Sequence, residues 1–208
     1  MAAPQTGPEH SAESAANRLV IRAKMRREKI AARMALPATT HALLSAKVEA
    51  HLGPLLDRVR PAIVGYCWPM RAEFDCRPLV VALLARGARA CLPLVLAADA
   101  AMAFREWTPD SPMREDQYGI LQPTTGELLV PDVLLMPINA IDERGYRLGY
   151  GGGYFDRTLA ALDPPPLAIG VGFELARVGT TLPGPHDIAM DAVVTEAGIR
   201  RVSARLAL

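Results

Sequence analysis

The sequence has little of several features that mark particular classes of protein. Aromatic residues make up 5% of its 208 residues, and 23 basic and 22 acidic side chains leave a formal net charge of +1. Nonspecific binding to nucleic acids and to anionic membranes depends on a basic surface, so this balance argues against both kinds of partner. Any anion-binding site must therefore come from local clustering of basic groups.

Cysteine is also sparse. The three cysteines, Cys67, Cys76 and Cys91, form neither a zinc-binding spacing nor an obvious disulfide framework. No segment reaches the roughly 18 consecutive apolar residues of a membrane span. Residues 1–17 combine neither a basic region nor an apolar core, so they do not resemble a secretory signal. We therefore expect a cytoplasmic protein, and the absence of a long apolar helix face favours a monomer.

The chain is long enough, and with 50% hydrophobic residues apolar enough, for one domain with a sizeable core. Residues 1–16 are small and polar, with scattered proline and glycine, and are expected to be a disordered tail. The domain is then expected to cover residues 17–208. Its first two helices are predicted over about 17–35 and 40–57.

The remaining chain alternates between short apolar segments and helical ones. Helices are predicted over 77–87 and 154–162. Continuously apolar, β-rich segments predict strands at 61–68, 88–95, 132–137, 167–174 and 191–196. Such alternation predicts an α/β fold with a mostly parallel sheet flanked by helices. The proline-rich segment 97–131 is expected to hold a hairpin or an irregular connection.

Residues 147–157 read RLGYGGGYFDR and lie between a predicted strand end and a predicted helix start. Glycine lets backbone N–H groups turn inward, and a helix N-terminus adds partial positive charge, so the segment is suited to bind phosphate. Asp156 offers oxygen ligands for Mg²⁺, and Arg147 and Arg157 can neutralise phosphate oxygens.

The glycine segment does not match two common nucleotide-binding motifs. A Walker A loop needs a Gly-Lys-Ser/Thr ending that is absent, and a dinucleotide fingerprint would need glycine where Tyr154 stands. A glycine-rich turn without any ligand remains an alternative.

The predicted first helix carries a basic stripe along one face, formed by Arg22, Arg26, Lys29 and Arg33. A stripe of this kind is more often a solvated helix face than a binding site.

Four segments, in order, resemble motifs of one enzyme family. They are RAKMRREKIAAR, GYCWPMRAEFDCRPL, RLGYGGGYFDRTL and PHDIAMDAVVTEAGI. Together they resemble 5-formyltetrahydrofolate cyclo-ligase, also called 5,10-methenyltetrahydrofolate synthetase, across nearly all of the chain after residue 17. The resemblance implies a single three-layer α/β domain. It also implies ATP- and Mg²⁺-dependent conversion of 5-formyltetrahydrofolate to 5,10-methenyltetrahydrofolate through a phosphorylated formyl intermediate.

The resemblance also implies a set of site residues. The implied ATP contacts are Arg22, Arg26, Arg147, Leu148, Gly149, Tyr150, Gly151, Gly152, Gly153, Tyr154 and Phe155. The implied folate contacts are Trp68, Glu73, Tyr150, Gly151, Gly152, Gly153 and Tyr154. The implied metal ligands are Asp156 and Asp191, and the expected catalytic residues are Arg147, Tyr154 and Asp156.

Two basic residues of the stripe, Lys29 and Arg33, are expected to remain solvated. Asp187 is as consistent with a structural cap as with a ligand, so Asp191 is preferred for the metal.

The chain departs from the family pattern at a few positions. Arg22 replaces a usual lysine, Phe155 a common tyrosine and Ile141 a usual phenylalanine, while Asn139 lies in a segment that often contains glycine. These differences leave two alternatives open. One is a paralogous ATP-dependent enzyme acting on another small molecule, and the other is a non-catalytic nucleotide- or folate-binding protein.

Overall fold

A computed structural model describes the backbone of residues 8–206 and the side chains of residues 16–206. The four helices within that range are α1 (Pro8–Met34), α2 (Ala38–Val59), α3 (Arg77–Leu84) and α4 (Tyr154–Ala161). All four predicted helices are confirmed, but α1 begins before its predicted start. Residues 8–16, expected to be disordered, continue this helix, while residues 1–7 of the predicted tail lie outside the described residues.

The same described residues contain eleven strands. In chain order they are β1 (Ile63–Gly65), β2 (Arg89–Leu94), β3 (Ala103–Glu106), β4 (Met113–Glu115), β5 (Leu121–Pro123), β6 (Val133–Pro137), β7 (Ala140–Ile141), β8 (Arg147–Leu148), β9 (Leu167–Val171), β10 (Ala192–Thr195) and β11 (Gly198–Arg201). The main sheet has seven strands in the order β11-β10-β9-β6-β1-β2-β3. Its five central strands are the predicted ones, all parallel, and they are shorter than predicted.

The two edge strands of the main sheet, β3 and β11, were not predicted. Both pair antiparallel with their neighbours. Neither carries the continuous apolar pattern of a buried parallel strand: β11 reads GIRR, whereas every residue of β9 is buried. The segment 97–131 contains β3 and the predicted hairpin, formed by β4 and β5.

The core is split by the sheet into two apolar layers. Side chains of β6 alternate between them, with Val133 and Leu135 facing the helices α2 and α3, and Leu134 and Met136 facing α4. Helices therefore cover both faces of the sheet, which confirms the predicted three-layer α/β domain. Among the described residues, no helix has the length and apolar character needed to cross a membrane.

The carboxyl ends of the parallel strands lead into the segments that form the candidate site. Strand β1 leads into the segment 66–76. Strand β6 leads into the β7–β8 hairpin, which is followed by the glycine segment and α4. Helix α1 contacts this edge through the β7 strand and the short 3-10 helix Glu174–Ala176 that follows β9. Ligands of open α/β sheets bind at this kind of edge.

At the amino ends of the parallel strands, opposite the candidate site, a carboxylate holds the start of β1. Asp132 accepts hydrogen bonds from the backbone N–H groups of Ala62 and Ile63, at 2.8 and 3.0 Å. We expect Asp132→Ala to lower the free energy of unfolding by about 1 kcal/mol, because two backbone donors lose a charged acceptor that solvent only partly replaces. Urea unfolding measures this change, with the exposed Asp110→Ala as the control. Equal effects of the two variants would contradict the assigned role of Asp132.

Candidate functional site

The glycine segment turns the chain from β8 into α4 through two left-handed residues. Gly151 has a φ of +105°, and Gly153, the N-cap of α4, has a φ of +66°. Glycine adopts such angles at little cost, whereas other residues are strained there. A Cβ atom at Gly151 would lie 3.3 Å from the guanidinium carbon of Arg26. The glycine therefore lets this arginine from α1 lie directly against the backbone.

Several arginines converge on this segment. Arg26 Nε donates to the carbonyl of Gly149 at 2.6 Å, and Arg157 donates to the carbonyl of Gly152 at 2.6 Å. Burial, followed by the charge of Arg22, lowers the pKa of Arg26. Positive side chains and the start of α4 thus surround an exposed turn of backbone, which is the arrangement expected for an anion site.

Arg147 is the most buried of these positive groups, with 6% of its surface exposed. Its guanidinium lies over the ring of Phe155 at 4.7 Å and 3.9 Å from the carboxylate of Asp156. Burial lowers the pKa of Arg147, and its Nε has no hydrogen-bond partner among the described residues. A buried cation with an unused donor is suited to bind an anionic group of a ligand.

Two carboxylates lie beside these arginines. Asp156, in the first turn of α4, accepts a hydrogen bond from the backbone N–H of Ile188 at 3.0 Å. The preceding residue, Asp187, accepts two from Arg22, at 2.5 and 2.9 Å. Burial raises the pKa of Asp187, but the hydrogen bonds from Arg22 and Gly184 outweigh it and hold the pKa below its usual value. Asp187 is therefore the carboxylate that the fold brings next to Asp156.

The structure does not bring Asp191, the other predicted metal ligand, to this pair. Asp191 precedes β10 and so lies at the amino edge of the sheet, away from the glycine segment. Its Oδ2 accepts from Ala168 N at 2.8 Å and from Arg205 at 2.9 Å, and its Oδ1 accepts from Ser203. The carboxylate joins the C-terminal segment to β9, which corrects the preference for Asp191 over Asp187.

A different carboxylate lies on the other side of the glycine segment. Glu73, in the segment that follows β1, is 7% exposed. Its Oε1 accepts from the Tyr150 hydroxyl at 2.6 Å, and its Oε2 accepts from Met70 N at 3.0 Å. Burial raises the pKa of Glu73, while Tyr150, Met70 N and the charges of Arg33 and Arg71 oppose this rise. The glycine segment therefore connects the arginine cluster with a buried hydrogen-bond acceptor.

The expectation that Arg33 is solvated is wrong, because only 4% of its surface is exposed. Lys29 is half-buried, and its Nζ donates to the carbonyls of Leu175 and Arg177 at 2.7 and 2.9 Å. The spacing of the basic stripe identifies one helix face correctly. It contains no information on what that face packs against, since all the partners are more than 35 residues away in sequence.

Aromatic side chains border the site at two points. Trp68 is partly buried and lies under the guanidinium of Arg77, 4.4 Å from the ring centroid. The Tyr154 hydroxyl lies 2.8 Å from that of Tyr118, which belongs to the turn of the β4–β5 hairpin. Nothing in the sequence pattern connects Tyr118 with the glycine segment, because the contact depends on where the hairpin folds.

Leu148 was expected to contact ATP, but its side chain packs in the protein core. That side chain is fully buried, and its carbonyl accepts from Asn139 N at 2.9 Å. The side chain of Leu148 is therefore not available to a ligand.

Residues 14–196 match the model of the 5-formyltetrahydrofolate cyclo-ligase family. The chain belongs to this family. A 5-formyltetrahydrofolate cyclo-ligase of Haemophilus influenzae is 29% identical over 118 residues, which are 54% of this chain and 63% of that protein. One of Escherichia coli K12 is 37% identical over 93 residues, 42% of this chain and 51% of that protein. These alignments thus span about half to three-fifths of the relatives' lengths.

Solved structures extend the likeness over most of the chain. The 5,10-methenyltetrahydrofolate synthetase of Aquifex aeolicus aligns with a TM-score of 0.75 and 27% identity, over 90% of this chain and 96% of that chain. The synthetase of Mycoplasma pneumoniae aligns with a TM-score of 0.70 and 22% identity, over 84% and 98%, and supports the fold alone.

The position of Asp191 leads to a stability prediction. We expect Asp191→Ala to lower the free energy of unfolding by about 2–3 kcal/mol, because a buried carboxylate with three hydrogen-bond donors is lost. Thermal or urea unfolding measures the change, and the exposed Glu143→Ala is the control. A loss no larger than that of the control would contradict the structural role of Asp191.

Proposed function

We propose that the protein is an ATP-dependent 5-formyltetrahydrofolate cyclo-ligase. The observation that supports this most directly is the position of the glycine segment 149–153. On one side it adjoins the arginines and the Asp156–Asp187 pair, and on the other its Tyr150 hydroxyl reaches the buried Glu73. A phosphate-binding region and a site for a hydrogen-bonding ring thus share one short turn, as a reaction between two substrates requires.

The chemistry accounts for the residue types. The formyl oxygen of the substrate attacks the γ-phosphorus of ATP, and ADP leaves. The folate N10 then attacks the activated formyl carbon, loses its proton, and phosphate departs with the former formyl oxygen. Phosphoryl transfer of this kind depends on positioning and charge neutralisation. Arg22, Arg26 and Arg147 would supply the charge, and the glycine N–H groups would hold the phosphates, so no nucleophilic triad is needed.

The Asp156–Asp187 pair fits a magnesium ion. Mg²⁺ is usually held by one or two carboxylates together with substrate phosphates and water. Bound there, the ion would neutralise charge on the transferred phosphoryl group. Asp156 also keeps its hydrogen bond to Ile188 N, which orients the carboxylate.

The folate side is assigned to Glu73, Trp68 and the tyrosines of the glycine segment. The Glu73 carboxylate would accept from the N–H edge of the pterin ring, and Trp68 would offer an aromatic face for stacking. Phe155 needs no hydroxyl for the contact it makes, because its ring packs against Arg147. We expect the enzyme to work as a cytoplasmic monomer on a reduced folate, without nucleic-acid or membrane partners. Its three free cysteines agree with a reducing compartment.

A paralogous enzyme with another substrate is the second candidate. It is favoured by one observation: the buried Asn139 Nδ2 has no hydrogen-bond partner among the described residues, at a position that departs from the family pattern.

The activity is tested by mixing the protein with ATP, Mg²⁺ and 5-formyltetrahydrofolate and following the near-ultraviolet absorbance of the methenyl product. We expect turnover in the wild type and a loss of about a hundredfold or more in Asp156→Asn and in Asp187→Asn, because each removes a ligand charge from the proposed metal site. The concentration of Mg²⁺ needed for half-maximal rate should rise in both variants.

Asp191→Asn serves as the matched control for the metal assignment, and it should leave the Mg²⁺ requirement unchanged. Nucleotide binding without product formation in the wild type would exclude the cyclo-ligase activity and favour the second candidate. Wild-type Mg²⁺ dependence in Asp187→Asn would refute the proposed pair.

The role of Glu73 is tested by Glu73→Gln. The amide keeps the shape but weakens the acceptor, so the KM for the folate should rise about tenfold or more while the KM for ATP stays within about twofold. Because the carboxylate must be ionised and its pKa is raised by burial, wild-type kcat/KM for the folate should fall as the pH is lowered through that pKa. Glu73→Gln should lack this fall, and an unchanged folate KM would disprove the assignment.

A further inference from the structure

We propose that Arg33 is the positioning residue of the folate side, and that it acts by fixing the Glu73 carboxylate and the Tyr150 hydroxyl in their working geometry. This inference deepens the proposed function and rests on it. Arg33 lies in the last turn of α1, in the part of the basic stripe that is farthest along the helix from the phosphate-side residues Arg22 and Arg26.

Arg33 first acts on the tyrosine that links the glycine segment to Glu73. Arg33 Nη2 donates to the Tyr150 hydroxyl at 3.2 Å, and that hydroxyl donates to Glu73 Oε1 at 2.6 Å. The same nitrogen lies 3.6 Å from Oε1. A hydroxyl that accepts from a cation is a stronger donor to a carboxylate, so the chain Arg33–Tyr150–Glu73 is mutually reinforcing. The tyrosine is thereby held with its proton directed at the glutamate.

The guanidinium also holds the backbone that carries Glu73. Its Nε donates to the carbonyl of Arg71 at 2.9 Å. Arg71 and Ala72 have φ values of +47° and +55°, a conformation that costs about 1 kcal/mol or more for each such residue. His41 contacts the carbonyl of Ala72 at 3.0 Å. Two helices thus secure a strained turn directly before the glutamate, which makes the direction of its side chain depend on these contacts.

The remaining guanidinium nitrogen joins the end of β6 to the same group. It donates to the carbonyl of Ile138 at 3.2 Å and to Asn139 Oδ1 at 3.0 Å. One planar side chain therefore contacts the segment after β1, the segment after β6 and the glycine segment. Lysine cannot reproduce this geometry, because its ammonium group is a single point donor rather than a fork.

A purely structural role predicts a different outcome, and Lys29 provides the comparison. Lys29 lies on the same face of α1 and donates to two carbonyls, but its partners belong to the segment after β9 and not to Glu73. Lys29→Met should therefore lower the melting temperature and leave folate binding unchanged. Arg33→Met should lower both stability and folate affinity.

The experiment measures folate binding by titration calorimetry without ATP, together with the KM values for both substrates, in Arg33→Met, Arg33→Lys, Glu73→Gln and the double variant Arg33→Met/Glu73→Gln. We expect Arg33→Met to weaken folate binding about tenfold to a hundredfold, with the KM for ATP within about twofold. Arg33→Lys keeps the charge and should fold, with a smaller loss. The double variant should bind folate no more weakly than Glu73→Gln alone, because Arg33 acts through the glutamate.

Three outcomes would overturn the proposal. They are wild-type folate affinity in both Arg33 variants, a loss matching that of Lys29→Met, and a double variant in which the two single losses multiply. If the wild-type protein binds folate and forms the methenyl product, but the Arg33 variants give one of these three outcomes, only the role of Arg33 is refuted. A wild-type protein that binds no folate refutes the proposed function itself, and with it this inference.

Discussion

The site depends on the hydrogen bonds by which the basic face of α1 is attached to the carboxyl edge of the sheet. Arg22, Arg26, Lys29 and Arg33 each donate to a carbonyl or carboxylate of a segment that follows a strand, and these segments follow β1, β8 and β9. Burying this many cations would be unfavourable without those acceptors. The stripe therefore determines where the helix lies, and the helix in turn completes the walls of the site.

This constraint explains why the two halves of the site differ in chemistry although one turn of chain joins them. Near Arg147, positive charge exceeds negative charge and one donor is unused, which suits a polyanion. Near Glu73, each guanidinium nitrogen of Arg33 already donates to a protein group, so the Glu73 carboxylate keeps acceptor capacity for a neutral ring with N–H donors. In the proposed reaction, separation of the two environments by Tyr150 would let phosphate and pterin approach the same formyl group without competing for the same contacts.

The sequence predicts most of the fold, because buried parallel strands and helices leave periodic apolar patterns. All five central strands and four helices were predictable in this way, and so was the glycine turn before α4. Edge strands such as β11 were not, since they pack on one side and tolerate polar residues. Motif order led to Arg22, Arg26, Glu73 and Asp156. It favoured Asp191 over Asp187, because nothing in the motif shows that the chain places these two carboxylates, four residues apart, at opposite ends of the strands.

The distance in sequence between α1 and its partners has a consequence for biosynthesis. Arg22 and Asp187 are separated by 165 residues, and Lys29 and the carbonyl of Leu175 by 146. Contacts of such high sequence separation cannot form until the intervening chain is present, and closing so long a loop costs conformational entropy. During translation, α1 is made before its partners, and Arg22 and Lys29 have no acceptors until nearly the entire domain has been made. A partly synthesised chain can therefore contain much of the sheet while its candidate site is still incomplete.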